Sequence, residues 1–98
     1  MNPNYQYYVY IITNRKNGTL YIGMTGNLKQ RLYQHKNQSS KSFSSRYRLN
    51  KLVYYEKFEY PSLAIKREKQ LKKWNRNWKI NLINDFNSDW EDLTKRFK

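Results

Sequence analysis

Two runs of aromatic and β-branched residues stand on either side of the segment NRKNG near the start of the chain. The first run, YQYYVYIIT, and the second, TLYIGM, have the composition of β-strands. Between them, Asn17-Gly18 is a residue pair that readily adopts the positive φ angles of a tight turn. The sequence therefore predicts a β-hairpin as the first element, and this restricts the fold to one that contains an antiparallel sheet.

The remaining patterns predict one more strand and three helices. Apolar spacing predicts a helix from Leu28 to about residue 36, with Asn27 or Thr25 as its N-cap. KLVYYEKFE has the composition of a third strand, Pro61 suits the first turn of a second helix, and WKINLI belongs to a third. The predicted order is β-β-α-β-α-α. We expect an α/β fold, a small sandwich in which helices flank a three-stranded antiparallel sheet, with residues 1–98 as a single domain.

The charge of the chain predicts a polyanionic partner. Lys and Arg number 20 against seven Asp and Glu, for a net charge of +13, and no carboxylate precedes Glu56. Nucleic acid is the first candidate, because no long segment has the basic and apolar faces of a helix that binds an acidic membrane surface. The segment NQSSKSFSSRYRLN reads as a basic surface loop, and within it we expect Lys41, Arg46 and Arg48 to contact the nucleic acid.

Several classes of protein are disfavoured by what the sequence lacks. It contains no cysteine, which excludes a disulfide framework and a thiolate metal site. The segment MNPNYQYY is not a signal peptide, and no apolar run approaches the roughly 20 residues that span a bilayer. We therefore expect a cytoplasmic protein with no membrane partner.

Alternation along the hairpin brings tyrosines together. In a strand, Tyr8 and Tyr10 share a face, as do Tyr21 and Gly23 on the partner strand. If the connecting loop has two or four residues, Tyr10 and Tyr21 project from the same face of the sheet. Gly23, which has no side chain, would then leave a hollow beside Tyr21 where the backbone of a nucleic acid approaches.

The predicted first helix adds two polar side chains of another kind. Arg31 and His35 are four residues apart and lie one above the other on a helix. A guanidinium, an imidazole and two phenols in one place suit a phosphate, because the guanidinium binds two oxygens and a phenol or imidazole takes a proton from water. Each residue also has an ordinary structural interpretation: a tyrosine packs in a sheet, Arg31 is a solvated helix residue, and His35 is a cation at a helix end.

Glu68 has two interpretations as well. It stands four residues before Lys72, so the two residues match an exposed ion pair on a helix, worth about 0.3–0.5 kcal/mol. It also lies on the same side of its helix as Ala64 and Leu71, and a carboxylate that faces inward needs a partner, of which a metal ion is one.

These motifs, in this order, resemble the GIY-YIG endonuclease superfamily. The resemblance rests on YVY (8–10) before YIG (21–23), on Arg31 with His35, and on AIKREKQLKKW, which carries Glu68. It is closest to small single-domain members described as excinuclease C-subunit-like. The loop FSSRYRLNKLVYYE and the segment WKINLI are also typical of them, so the likeness covers nearly the whole chain.

The resemblance implies a metal-dependent endonuclease that hydrolyses phosphodiester bonds in DNA, directed by substrate structure or shape and acting in DNA repair or processing. DNA is expected in preference to RNA. The implied cofactor is one Mg²⁺ or Mn²⁺ ion, held by a single carboxylate, Glu68, and by water, as is usual for Mg²⁺. The implied catalytic residues are Tyr10, Tyr21, Arg31, His35 and Glu68. Tyr21 or Tyr10 would deprotonate the attacking water, with Tyr21 preferred, Arg31 would bind the phosphate and His35 would assist proton transfer.

The chain also departs from the family pattern. Tyr8 stands where the first motif usually has glycine, which would narrow the space beside Tyr10, and Met24 replaces a lysine of the repair enzymes. A late Asn or Lys ligand of the family corresponds to Lys79 or Asn81. Two other functions stay open: a non-catalytic nucleic-acid-binding module that keeps the nuclease fold, and a protein adaptor whose charge serves solubility. The oligomeric state is left open.

Overall fold

The computed structural model describes residues 6–37 and 48–97. Its elements are β1 (Tyr7–Thr13), β2 (Leu20–Thr25), α1 (Leu28–Asn37), β3 (Lys51–Phe58), α2 (Pro61–Lys73), α3 (Arg76–Phe86) and a 3₁₀-helix (Leu93–Phe97). The predicted β-β-α-β-α-α order is therefore confirmed. The terminal 3₁₀-helix was not predicted.

The three strands form one antiparallel sheet in the order β2-β1-β3, which leaves β2 at an edge. In the hairpin register, Tyr10 lies opposite Gly23 and Ile12 lies opposite Tyr21. Between β1 and β3 the register shifts after Ile11, and Val53 is the extra residue of a β-bulge. The sheet and its strand directions agree with the prediction.

The loop of the hairpin is longer than the two or four residues expected. Six residues, 14–19, join the strands. Because six is also an even number, the side chains of the two strands project from the same faces of the sheet as they would with a loop of two or four residues. Only Asn17 of the predicted pair has a positive φ, at 58°. Gly18 is required for space instead, since a Cβ there would lie 2.1 Å from Oδ1 of Asn14.

Apolar side chains cover both faces of the sheet. One face packs against α2 and α3 through Ala64, Leu71 and Ile83, and the other packs against α1 and the 3₁₀-helix through residues that include Leu32 and Leu93. Strand β1 is fully buried from Val9 to Thr13 because it is the central strand and is covered on both sides. Helices on both faces agree with the predicted sandwich in which helices flank the sheet.

Asp92 links α1, β3 and the 3₁₀-helix. Its Oδ1 accepts hydrogen bonds from the backbone N–H groups of Leu52 (3.1 Å) and Thr94 (3.0 Å), and its Oδ2 lies 3.2 Å from Nζ of Lys36. Burial acts to raise the pKa of Asp92, but the hydrogen bonds from Thr94, Leu52 and Lys36 outweigh it and hold that pKa below its ordinary value. The carboxylate therefore helps to hold α1 in position over the sheet.

Within the described ranges, the model has no helix that is both long enough and apolar enough to cross a membrane.

Candidate active site

Tyr10 and Tyr21 project from the same face of the sheet, as the alternation predicts. Both belong to the cluster that α1 covers, and their ring centroids are 6.4 Å apart. The His35 ring from α1 approaches both of them, with centroid distances of 5.8 Å to Tyr10 and 5.6 Å to Tyr21. Three side chains from three elements therefore meet in one place, and the predicted grouping of phenols and imidazole is present.

The hollow predicted at Gly23 is filled by Tyr10. A Cβ at position 23 would lie 2.5 Å from the hydroxyl oxygen of Tyr10 and 2.6 Å from its Cζ. The Tyr10 ring therefore lies across Gly23, its partner on the edge strand, and Gly23 is itself buried. The absent side chain makes room for a neighbouring phenol, and contact of Gly23 with a substrate backbone stays a prediction.

The Tyr10 hydroxyl lies 3.0 Å from Nε2 of His35, and the Arg31 guanidinium is near enough to influence the pKa of the phenol. The tautomer of the imidazole decides which of the two groups donates, and the phenol donates to His35 when Nε2 carries no proton. This arrangement needs Nε2 of His35 as an acceptor, which a neutral imidazole provides.

Burial controls the titration of this pair. Tyr10 is 1% exposed, and burial raises its pKa, as do the nearby Tyr21 and Glu68, while Arg31 acts in the opposite direction. Burial also lowers the pKa of His35 below its ordinary value of 6.5, and the Arg31 charge lowers it further. At neutral pH we therefore expect a protonated Tyr10 beside an uncharged His35. The lowering by Arg31 is outweighed by burial, so the pKa of Tyr10 stands above its ordinary value.

Arg31 and Tyr21 form the accessible side of the site. His35 is only 9% exposed, whereas Arg31 is exposed on the same helix and Tyr21 is partly exposed on the edge strand. The Arg31 guanidinium reaches Gln34, with Nη1 3.3 Å from Oε1. A guanidinium and a phenol that both reach solvent beside one cluster can contact a phosphate and a water molecule.

Glu68 approaches from α2, on the other face of the sheet, and both of its sequence interpretations find support. Its carboxylate lies 3.7 Å from Nζ of Lys72, while its side chain is only 21% exposed and its charge is near enough to raise the pKa of Tyr10.

No group of three or more His, Asp or Glu side chains that could hold a metal ion occurs in residues 6–37 and 48–97. A single partly buried carboxylate suits Mg²⁺ or Mn²⁺, which keep several water ligands, better than a metal that needs a cage of protein ligands.

An ion pair next to Glu68 was missed in the sequence. The preceding residue, Arg67, reaches across to Glu56 on β3, with Nη2 3.1 Å from Oε2, and the same carboxylate accepts from the Tyr54 hydroxyl. Burial raises the pKa of Tyr54, as does Glu56. Arg67 also lies 5.1 Å above the ring of Trp74. These contacts fix the rotation of α2 and hence the direction of Glu68; the spacing of Tyr54 and Glu56 on one strand face was the available signal.

The other predicted contact residues are not brought into this cluster by any contact described. Lys79 places its Nζ 3.5 Å from the backbone oxygen of Lys72, at the end of α2, and Asn81 is exposed on α3. Arg48 is exposed and has a positive φ of 56°. Lys41 and Arg46 lie outside the described residues.

The two departures from the family pattern are accommodated away from Tyr10. Tyr8 packs edge-on against Tyr55 and Phe97, with centroid distances of 6.3 and 5.7 Å. It therefore turns to a different group of rings, and the expected narrowing beside Tyr10 is not seen. Met24 is partly buried against the cluster on the α2 face.

Comparisons with known proteins show the family to which the chain is similar. A family model described as the GIY-YIG catalytic domain matches residues 6–81. A UPF0213 protein of Staphylococcus saprophyticus is 34% identical over 80 residues, which are 82% of this chain and 96% of that protein. A UPF0213 protein of Clostridium perfringens is 38% identical over 88 residues, covering 90% and 94% of the two chains.

A similar fold has been determined by solution NMR. The structure of a UPF0213 protein from Bacillus halodurans superimposes with a TM-score of 0.56 at 25% sequence identity. The superposition covers 92% of this chain and 95% of that one.

Proposed function

Because this chain belongs to the GIY-YIG family, we propose that it is a metal-dependent endonuclease that hydrolyses phosphodiester bonds in DNA. The observation that carries the proposal is the meeting of Tyr10, Tyr21 and His35 beside Arg31, under the influence of the Glu68 charge. The proposal includes selection of substrates by shape and a role in DNA repair or processing. The net charge of +13 supports a polyanionic substrate.

Arg31 is the residue proposed to bind the scissile phosphate. Its guanidinium is exposed on α1, contacts Gln34 at 3.3 Å, and is near enough to the phenol cluster to lower the pKa of Tyr10. A guanidinium positioned in this way stabilises charge that develops on a phosphate oxygen. His35 and Tyr10 are buried and act as the support that fixes this position.

Tyr21 is the residue proposed to contact the attacking water and to take its proton. It is the more accessible of the two phenols, whereas the Tyr10 proton is held by burial and by His35. Glu68 would hold one Mg²⁺ or Mn²⁺ ion, which would neutralise phosphate charge and favour the ionised form of a neighbouring phenol. Tyr10 serves to orient Arg31 and to close the inner side of the site.

The test is the change Glu68→Gln, which keeps the shape of the side chain and removes its charge. We expect DNA binding at least equal to that of the parent, because one repulsive carboxylate is gone, and loss of cleavage at every Mg²⁺ or Mn²⁺ concentration. The substrates are end-labelled linear, nicked, branched and single-stranded DNA. Glu59→Gln is the matched control, since Glu59 is exposed beyond the end of β3. Unchanged cleavage by the Glu68 variant would contradict the assignment.

The Glu68–Lys72 ion pair favours a second candidate, a nucleic-acid-binding module without catalysis. In that case the carboxylate serves only the helix, and its loss reduces stability slightly while DNA binding persists. Absence of cleavage by the parent protein with either metal, together with intact binding, would select this second function.

A further inference from the structure

A cavity lies on the same face of the sheet as Tyr10, at the beginning of β1. Its volume is about 360 Å³, and its walls come from β1, the first turn of α1, the end of β3 and the 3₁₀-helix. This volume falls at the lower end of the range of ligand pockets, roughly 300–1,000 Å³. A single nucleotide fits such a space better than an extended cofactor does.

Two aromatic rings form part of the wall. Tyr8 and Phe97 both line the cavity and are both partly exposed, and their rings meet at 89° with centroids 5.7 Å apart. Tyr55 supports Tyr8 from the side, at 6.3 Å, and lies 5.0 Å from Phe97. Ring planes fixed by neighbouring rings provide a stacking surface for a planar ligand, and every nucleobase has such a face.

The charge of the cavity selects an anionic ligand. Lys29 from α1 and Lys57 from β3 both line it and are both exposed, and none of the described residues that line it is Asp or Glu. Lys57 is the register partner of Tyr8 on the neighbouring strand, so the two side chains leave the sheet on the same face. Aromatic rings beside lysines are the combination that binds a base together with its flanking phosphates.

The cavity adjoins the proposed active site. Tyr8 and Tyr10 are two residues apart on one face of β1, which separates their Cα atoms by about 7 Å. Leu28, at the start of α1, lines the cavity, and Arg31 follows it by less than one helical turn. A nucleic acid held by Arg31 therefore passes the mouth of the cavity.

We propose that this cavity receives one unpaired base of the nucleic acid next to the cleaved phosphate, with the base against Tyr8 and Phe97 and the adjoining phosphates at Lys29 and Lys57. The inference rests on the proposed function, because Arg31 defines where the substrate lies. A base inside a regular duplex cannot enter the cavity without leaving its stack, so the cavity would explain how the protein selects substrates by shape.

Binding is measured without divalent metal, so that the result does not depend on cleavage. The probe is a DNA duplex with one unpaired 2-aminopurine, compared with the same duplex carrying an abasic unit at that position and with the perfect duplex. We expect the base-containing bulge to bind about 5- to 150-fold more tightly than the abasic one, the range for stacking of one base. Equal affinity for the two bulges would overturn the proposal.

Tyr8→Leu removes the ring face and keeps an apolar side chain. We expect it to abolish the preference for the base-containing bulge, whereas the matched control Tyr60→Leu keeps that preference, because Tyr60 precedes α2 and does not line the cavity. Lys57→Ala changes an exposed residue and tests the site even if the Tyr8 variant fails to fold. It is expected to weaken binding to all duplexes and to reduce the slope of log affinity against log salt by about 1.

Further comparisons separate this proposal from the nuclease assignment. Deoxyadenosine monophosphate that bound as tightly as the bulged duplex would reassign the cavity to a free nucleotide and overturn the proposal. Cleavage with metal but no preference for the base would refute the cavity and leave the nuclease assignment intact. Base-dependent binding without cleavage would refute the nuclease assignment and retain the cavity.

Discussion

The role of Gly23 can be tested by adding a single methyl group. In Gly23→Ala, the new Cβ would lie 2.5 Å from the Tyr10 hydroxyl oxygen, whereas ordinary van der Waals contact begins near 3.4 Å, so the phenol must move by about 1 Å. Tyr10 is 1% exposed, and overpacking at such a position costs about 1–3 kcal/mol. In a domain of this size each kcal/mol corresponds to a fall in Tm of roughly 4–8 °C.

The displaced phenol should also affect activity. Tyr10 lies 3.0 Å from Nε2 of His35 and close to the Arg31 guanidinium, so its movement disturbs the surroundings of the group proposed to hold the phosphate. A displacement of about 1 Å at a catalytic group costs on the order of 10²-fold in rate. We expect single-turnover cleavage to fall by that amount while DNA affinity, measured without metal, stays near the parent value.

Urea unfolding provides the control through a double-mutant cycle. In a Tyr10→Ala background the added methyl group meets no ring, so Gly23→Ala should cost clearly less than in the parent, and the difference measures the coupling of the two positions. If Gly23 instead leaves room for the substrate, its change would weaken DNA binding and leave the free energy of unfolding unchanged. That result would refute the interpretation of Gly23.

Three further predictions follow from contacts elsewhere. Tyr21→Phe should lower single-turnover cleavage by about 10²–10⁴-fold and leave the free energy of unfolding unchanged. Tyr10→Phe should also reduce the free energy of unfolding by about 1–2 kcal/mol, and equal losses of stability in the two variants would contradict the different roles proposed for the two phenols. The pKa of Asp92 is lower in the folded protein than in the unfolded chain, where it is near 3.8. The ionised Asp92 therefore stabilises the folded protein above pH 3.8, and this stabilisation is lost as the pH falls through the folded-state pKa. Urea unfolding at pH 6 and pH 3 should therefore show a smaller acid-induced loss in Asp92→Asn than in the parent. Arg48→Ala should reduce the slope of log DNA affinity against log salt by about 1 in titrations at three salt concentrations, and an unchanged slope would remove Arg48 from the contact surface.

The sequence was sufficient for the sheet and for the facing of the two phenols. Strand alternation depends only on the parity of the loop, so a six-residue connection left Tyr10 and Tyr21 on one face as a shorter one would have done. Helix α1 could also be predicted from the sequence. Asn27 accepts a hydrogen bond from the N–H of Gln30 as an N-cap does, and Leu28 begins the apolar stripe. Local patterns determine these features.

Side-chain contacts between elements that are distant in sequence could not be predicted from local patterns. The side chain that fills the space at Gly23 depends on the register of β1 against β2, and the direction of Tyr8 depends on Phe97, which is distant in sequence. The 3₁₀-helix is held by Asp92 through contacts to β3 and α1, for which a local pattern offers no signal. The exposed loop predicted to contact DNA lies largely outside the described residues.

The position of the single buried glycine on β2 decides how the two phenols differ. Tyr10 lies opposite Gly23 and can therefore lie flat across the edge strand, where burial and His35 hold its proton. Tyr21 lies opposite Ile12, which has a side chain where Gly23 has none, and its ring is partly exposed. The Tyr10–Gly23 pair thus produces a buried phenol that supports its neighbours, and the Ile12–Tyr21 pair produces a phenol that can contact water. A base has to contact the molecule that it deprotonates, so register alone makes Tyr21 the better candidate of two chemically identical residues.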